Sequence, residues 1–109
     1  MTAVTYRDNR QYQELYFEGH AGDKIVCAGI SAISQTLLQN LLREETRQQI
    51  RLQWKMTQPG EIWMRAWPVG DSAEAVRRMF EFTMEGLRSI AQQYPDNITI
   101  KEERQNGRV

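Results

Sequence analysis

One cysteine and one histidine are the side chains of this sequence best suited to covalent chemistry. Cys27 and His20 are the single residues of their types among 109, and six residues separate them. A thiolate is a strong nucleophile and a nearby imidazole can accept the thiol proton, so such a pair can carry out nucleophilic catalysis. One cysteine excludes an internal disulfide and a thiol-rich zinc site. Cys27 is therefore either a reactive thiol or a small buried hydrophobic residue.

The predicted surroundings of Cys27 favour a reactive thiol. Asp23 is a good helix N-cap, and apolar residues recur at helical spacing from Lys24 to about Glu44. The apolar stripe consists of Val26, Ile30, Ile33, Leu37 and Leu41. Cys27 thus falls in the first turns of a helix, where unpaired backbone N–H groups and the helix dipole stabilise an anion.

His20 is predicted to end a strand just before this helix. A tight turn containing Gly22 would bring the two ends of the connection within hydrogen-bond reach, as a Cys–His pair requires. Gly19 leaves room for the backbone of a substrate. Ser31 lies one helical turn after Cys27, so its hydroxyl could donate to a thiolate or to a bound peptide. The alternatives are a surface histidine, ordinary turn glycines and a serine bonded to its own helix.

The rest of the chain predicts two β-hairpins, a second helix and a last strand. The predicted strands are Thr2–Arg7, Gln11–Gly19, Gln48–Met56, Glu61–Trp67 and Asn97–Glu102. Gln58-Pro59-Gly60 forms the turn of the second hairpin. The second helix begins after Asp71 or Ser72 and ends before Pro95. Its apolar stripe is Val76, Phe80, Met84 (or Thr83), Leu87, Ala91 and Tyr94.

The order ββαββαβ predicts an α+β fold, with two helices on one side of a mostly antiparallel sheet. We expect a single domain over residues 1–102 and a polar C-terminal tail over residues 103–109. Trp63 and Trp67 share one face of their strand with Arg65, and the apolar residues that alternate with them occupy the other face. Both faces of the sheet therefore carry large side chains. A homodimer would cover the second face, and so would a helix on each side. We favour the homodimer.

Composition narrows the classes of partner. Fourteen basic residues balance fourteen acidic ones, which argues against direct nucleic-acid binding. Arg77, Arg78 and Arg88 could form a basic patch on the second helix, although a solvated charged face is the commoner use of such residues. No apolar run approaches the 18 residues of a membrane span, so we expect no membrane partner and a cytoplasmic location.

The stretch Gly19-His20-Ala21, followed by Ile25-Val26-Cys27-Ala28-Gly29-Ile30-Ser31, resembles the Prp cysteine proteases. That bacterial family has Gly-His-Ala, a glycine-containing loop, then an apolar pair, Cys, two small residues, an aliphatic residue and Ser. The element order, Tyr94-Pro95 and Ile98-Thr99-Ile100 are also similar to the family, so the resemblance covers nearly the whole chain.

The resemblance implies a cytoplasmic, homodimeric Cys–His protease without a metal or organic cofactor. Such a protease removes a short N-terminal extension from a ribosomal large-subunit protein, so the implied partner is a peptide segment of that substrate. By position, Cys27 is the implied nucleophile and His20 the implied base. Gly19, Ala21, Gly22 and Ser31 are the implied supporting or substrate-binding residues. Backbone N–H groups near Cys27 are the expected oxyanion donors.

Two departures from the family pattern keep other functions open. The connection between His20 and Cys27 is shorter than usual, and Lys24 replaces an acidic residue, with Asp23 displaced by one position. A short connection is compatible with a phage structural protein as substrate, or with a catalytically silent homodimer that binds a peptide. Trp54, Trp63 and Trp67 would line a peptide groove, the core or a dimer interface. An RNA-binding αβ domain is a third class, which zero net charge disfavours.

Overall fold

Seven elements follow one another in the predicted order ββαββαβ. The computed structural model describes residues 1–58 and 61–105. The strands are β1 (Thr2–Asp8), β2 (Gln13–Glu18), β3 (Ile50–Gln58), β4 (Glu61–Pro68) and β5 (Ile98–Arg104). The helices are α1 (Lys24–Thr46) and α2 (Ala73–Gln93). The predicted α+β class is confirmed.

The five strands form one sheet in the order β3-β4-β2-β1-β5. Both hairpins and the β2–β4 pair are antiparallel, and β5 joins β1 in parallel. The helices pack against each other, and both stripes join one face of the sheet in a single core. The alternative of one helix on each side of the sheet is therefore wrong. Buried residues at the centre of this core are Val4, Tyr6, Leu15, Phe17, Val26, Leu41, Met64, Phe80, Met84 and Leu87.

The helix-free face of the sheet is covered by the chain's own long side chains. The Arg65 guanidinium lies 4.4 to 5.6 Å from the centres of the rings of Tyr12, Trp63 and Trp67. A cation over aromatic faces is an attractive arrangement that also shields the rings from water. Trp63 and Trp67 therefore have partners within the chain, and a dimer is not needed to cover them.

Glu14 lies at the centre of this face with 4% of its side chain exposed. Its carboxylate accepts hydrogen bonds from the Trp63 indole, from Arg65 at 2.7 Å and from Arg7 at 3.0 Å. Burial alone would raise the pKa of Glu14, but these hydrogen bonds outweigh it and hold that pKa below its ordinary value. Glu14 is thus a charged anchor with its hydrogen-bonding capacity largely used. We call Glu14 with Arg7, Trp63 and Arg65 the Glu14 cluster.

The last strand is longer than predicted. β5 extends to Arg104, two residues past the expected end at Glu102. Glu103 accepts a hydrogen bond from the Arg7 guanidinium at 2.6 Å, and Arg104 pairs with Glu81 of α2. These ion pairs join Glu103 to β1 and Arg104 to α2, so they hold two residues that were expected in the tail. The single domain over residues 1–102 stays a prediction. Pro59-Gly60 of the predicted turn and residues 106–109 of the predicted tail lie outside the described residues.

The start of α2 uses its predicted cap residue in a different way. Ser72 is the N-cap, but its hydroxyl makes no capping hydrogen bond with the helix. It donates instead to the Gln49 carbonyl at 2.7 Å and accepts from the Val69 N–H at 3.1 Å. Ser72 therefore fastens the start of α2 to the segment that leads into β3.

Helix α1 is long and apolar enough in composition to cross a membrane, although the sequence contains no continuous apolar run of that length. Polar Ser, Gln, Thr and Asn residues interrupt its apolar ones, so no continuous apolar run is visible in the sequence. An 18-residue window of α1 nevertheless has a mean hydropathy of 1.4, enough in length and composition to cross a membrane. In this structure α1 packs against α2, β3 and β4. Its apolar stripe forms part of the core described above, which is one ordinary reason for such a composition.

Candidate active site

His20 and Cys27 lie at one end of the sheet, on either side of the connection between β2 and α1. β2 ends at Glu18, residues 19–23 form the connection, and α1 begins at Lys24. The same end holds the first residues of β1 and β5, because Ala3 pairs with Glu18 and Thr2 with Ile98. A short connection between two rigid elements thus places the histidine and the cysteine in one region, as predicted from their spacing.

The two predicted catalytic side chains have no hydrogen-bond partners within the described residues. His20 is exposed, and Cys27 is half-buried beside the core. No hydrogen bond joins the His20 ring to the Cys27 thiol across residues 1–58 and 61–105. Catalytic hydrogen bonds are often long or poorly aligned before substrate binds, so the missing hydrogen bond is compatible with a catalytic pair.

Gly19 is fixed by its backbone conformation and by a close approach. Its φ is +84°, in the left-handed region that favours glycine. A Cβ at this position would lie 2.5 Å from the Met1 carbonyl oxygen, which is closer than a side chain can come. The Thr2 hydroxyl also donates to the Gly19 carbonyl at 3.5 Å. The predicted role of Gly19 in substrate binding stays a prediction, but the turn itself requires a glycine.

Ala21 is held by a side chain from the segment that precedes β5. It is 3% exposed, and its carbonyl accepts a hydrogen bond from the Asn97 side-chain amide at 2.7 Å. Asn97 also accepts from the Thr2 N–H at 2.9 Å through its own carbonyl. Asn97 was not predicted from the sequence, because Ala21 is 76 positions away and comes close only through the parallel pairing of β1 with β5. Gly22 follows at φ +79° with open space around it.

Asp23 caps α1 as predicted and thereby changes which backbone donors are free. One carboxylate oxygen accepts from the N–H groups of Ile25 and Val26, at 2.9 and 3.1 Å. The Cys27 N–H donates to the Asp23 carbonyl at 2.9 Å. The expectation of unpaired N–H groups immediately around Cys27 is therefore wrong for these three. Within the described residues, the N–H groups from His20 to Lys24 donate no hydrogen bond, so the chain itself does not use these donors.

Ser31 keeps an unpaired hydroxyl on the Cys27 side of α1. It is exposed, and its side chain makes no hydrogen bond within the described part of the chain. The back-bonded serine is Ser34, whose hydroxyl donates to the Ser31 carbonyl at 3.2 Å. The alternative of a serine bonded to its own helix thus fits Ser34 and not Ser31.

The arginines of α2 are paired with carboxylates. Arg77 contacts Asp8 at 3.3 Å, Arg78 contacts Glu74 at 2.9 Å, and Arg88 contacts Glu102 at 3.0 Å. Such pairing fits the interpretation of a solvated charged face better than that of a basic patch for an anionic partner. Among residues 1–58 and 61–105, no group of three or more His, Cys, Asp or Glu side chains could hold a metal ion.

This chain is similar to known proteins in both sequence and structure. The sequence model of the family described as cysteine protease Prp matches residues 1–99. No curated protein sequence matches the chain. The essential ribosomal processing protease Prp from S. aureus, bound to a covalently linked product peptide, superposes with a TM-score of 0.72. It is 21% identical, over 94% of this chain and 100% of that chain.

Two further structures have the same fold. The S. aureus Prp in complex with a substrate peptide gives a TM-score of 0.71 at 18% identity, over 94% of this chain and 100% of that chain. SMU.848 from Streptococcus mutans gives 0.65 at 26% identity, over 96% of both chains. The family match spans most of the sequence and agrees with the family that the sequence resembles. This chain therefore belongs to the Prp cysteine protease family.

Proposed function

We propose that this chain is a cysteine endopeptidase in which Cys27 attacks a peptide carbonyl and His20 accepts the thiol proton. One observation carries the proposal beyond family membership. The backbone on both sides of His20 and at the start of α1 is held at Gly19, Ala21 and Asp23, while the side chains of His20 and Cys27 have no hydrogen-bond partners among the described residues. A held backbone with reactive side chains that are not tied to other groups leaves both side chains free to act on a substrate.

The proposed reaction proceeds by acyl transfer. The Cys27 sulfur bonds to the carbonyl carbon as its proton passes to His20, and the carbonyl oxygen becomes an oxyanion. The free N–H groups between His20 and Lys24 are the proposed donors to that oxyanion. The C–N bond then breaks and His20 returns the proton to the leaving amine. Water, activated by His20, hydrolyses the thioester and regenerates the thiol. This route uses no metal or organic cofactor.

The proposed substrate is a short N-terminal extension of a ribosomal large-subunit protein, and the proposed location is the cytoplasm. Support comes from family membership and from the S. aureus relatives, a ribosomal processing protease bound to product and substrate peptides. A phage structural protein is the other proposed substrate, because the short connection departs from the family. A reducing compartment is compatible with a single free thiol.

A catalytically silent, peptide-binding homologue is the second candidate function. The observation that favours it is the missing hydrogen bond between His20 and Cys27, together with Lys24 at the family's acidic position. In that case the free N–H groups of residues 20–24 would bind a peptide backbone without cleaving it.

The homodimer is also a proposal. Phe82 of α2 is 78% exposed and adjoins an apolar groove of about 460 Å³ between α1 and α2. Exposed aromatic side chains beside a groove favour association, because burial removes apolar surface from water. Light scattering should give about twice the 12.8 kDa chain mass, and the chain mass itself would contradict the dimer.

The deciding experiment is iodoacetamide labelling at about pH 5 to 9, in the wild type and in His20→Ala. Because the chain has one cysteine, the labelled position is unambiguous. Urea-unfolded chain supplies the intrinsic rate of an unassisted thiol as the control. Labelling that is fast near neutrality and slows in His20→Ala supports the peptidase. Slow labelling that is indifferent to His20 would reject the dyad and favour the silent peptide-binding homologue.

A further inference from the structure

Asn97 connects the start of β5 to the segment between the predicted base and nucleophile. Its side-chain amide donates to the Ala21 carbonyl at 2.7 Å, one residue after His20. Its backbone is held independently, since its N–H donates to the Tyr94 carbonyl at 3.0 Å and its carbonyl accepts from Thr2 at 2.9 Å. The amide therefore projects from a fixed point. None of the family motifs recognised in the sequence includes this residue.

His20 lies between two anchored residues. On one side, Gly19 is packed against the Met1 carbonyl, where no side chain would fit. On the other side, Ala21 is buried and its carbonyl is bound by Asn97. The His20 backbone is thus fixed from both sides, although its imidazole makes no hydrogen bond within the described residues.

We propose that Asn97 is a positioning residue for the Cys–His reaction, an inference that rests on the proposed function. By holding the Ala21 carbonyl, Asn97 sets the place from which His20 reaches the Cys27 thiol. The short connection is then formed before substrate arrives, and its geometry depends on the residue that immediately precedes β5. Small displacements are costly in such a pair, because a misplacement of about 1 Å can lower a rate about 100-fold.

The donor of this hydrogen bond has no evident substitute. Within the described residues, the Ala21 carbonyl accepts from Asn97 and from no other group. A carbonyl of a buried residue that loses its donor tends to turn toward water, because an unpaired buried acceptor is unfavourable. Such a turn would rotate the peptide unit next to His20.

The test compares Asn97→Asp and Asn97→Ala with a matched control, Asn40→Ala. Aspartate keeps the shape of asparagine but replaces the donor with a carboxylate that repels the Ala21 carbonyl. Asn40 makes the same kind of bond, from its amide to the Thr36 carbonyl at 2.8 Å, on an exposed part of α1. The probe is iodoacetamide, with labelling rates measured at about pH 5 to 9 and melting temperatures measured on the same samples.

We expect both Asn97 variants to label Cys27 about tenfold more slowly near neutrality, with a pH profile close to that of His20→Ala. Asn40→Ala should keep the wild-type profile. One lost hydrogen bond is expected to lower the melting temperature by no more than about 8 °C. The double variant His20→Ala/Asn97→Ala should label no more slowly than His20→Ala alone, because Asn97 acts through His20. A purely structural role for Asn97 would not produce this masking.

The inference is overturned if folded Asn97→Asp retains the wild-type rate and its dependence on His20, a result that leaves the proposed function intact. Additive effects in the double variant would overturn it as well. A wild type that is indifferent to His20 overturns the inference and the proposed function together. If Asn97→Asp does not fold, Asn97→Ser provides the same test, because its shorter hydroxyl does not reach the Ala21 carbonyl.

Discussion

The Glu14 cluster and the connection over residues 19–23 use hydrogen bonds in opposite ways. Glu14 is buried and accepts from three side chains, each brought to it by the register of a neighbouring strand. In the connection the backbone is held at Gly19 and Ala21, while the side chains of His20 and Cys27 have no hydrogen-bond partners in the part of the chain that the structure describes. In the Glu14 cluster, pairing of side chains stabilises the fold. In the connection, a held backbone leaves the side chains of His20 and Cys27 available for chemistry.

Gly19→Ala, in the connection over residues 19–23, should have the largest effect of the variants. An alanine must adopt a φ of +84° and place its Cβ 2.5 Å from the Met1 carbonyl oxygen. We expect a loss of about 3 kcal/mol in the free energy of unfolding and labelling of Cys27 near the His20→Ala rate. Gly22→Ala is the matched control, because φ of Gly22 is +79° but no atom of the described residues lies within 4 Å of an added Cβ. This variant should lower the free energy of unfolding by about 1 to 2 kcal/mol. Equal losses in urea denaturation would contradict the close-approach argument.

Glu14→Gln should weaken the fold without touching the candidate site. Glutamine removes the charge that pairs with Arg7 and Arg65, which are themselves 48% and 29% exposed. Since solvent screens part of that pairing, we expect a loss of about 2 kcal/mol in urea denaturation. The labelling rate of Cys27 should stay at the wild-type value. Glu18→Gln, an exposed position that accepts from Tyr16, is the control and should be near neutral. A slower thiol in Glu14→Gln would show that the two regions are coupled.

The same cluster predicts how stability depends on pH. Because the pKa of Glu14 is lower in the folded chain than its ordinary 4.5, the unfolded chain binds more protons near that pH. The stabilisation is therefore complete above about pH 4.5 and is lost as the pH falls through the lower, folded value. Glu14→Gln should show a shallower loss in denaturation curves collected at about pH 2 to 5. Some acid sensitivity should persist, because Arg88 and Arg104 hold the pKa of Glu102 low as well. Identical slopes in the two proteins would refute the assignment to Glu14.

The smallest effect is expected from Ser31→Ala. Its hydroxyl is exposed and unpaired within the described residues, so its loss should leave the melting temperature unchanged. If Ser31 assists the thiolate, labelling of Cys27 should slow by up to about threefold, the effect of one weak hydrogen bond. Ser34→Ala is the control on the same helix, since the buried Ser34 hydroxyl bonds within the helix. It should leave labelling unchanged, and the opposite ranking of the two serines would exclude a role for Ser31.

The periodic features of this fold were predictable from the sequence. The apolar stripes of both helices and the alternation in the strands gave the element order, because each period follows from local geometry. Asp23 was recognisable as a cap, since capping depends on residues two or three positions away. The adjacency of His20 and Cys27 to one connection was also a local property.

Contacts between distant residues were not predictable in this way. Asn97 and Ala21 are 76 positions apart, and Glu14 is joined to Arg65 over 51. Neither pair has a periodic signal, because the strand order β3-β4-β2-β1-β5 decides which strands are neighbours. Ser72 shows the same limit, since a typical cap residue bonds instead to Gln49, 23 positions earlier. Features that depend on neighbouring residues could therefore be predicted from the sequence, and contacts that depend on strand order could not.

The parallel pairing of β1 with β5 has a consequence for the timing of activity during synthesis. β1 is translated before β5, yet Asn97 lies immediately before β5 and holds the connection that carries His20. A nascent chain that has folded β1 to α2 still lacks this hydrogen bond. If the inference about Asn97 holds, the position of His20 is not yet fixed in a chain that is still being translated. Proteolytic competence would then arise once β5 has left the ribosome and joined the sheet.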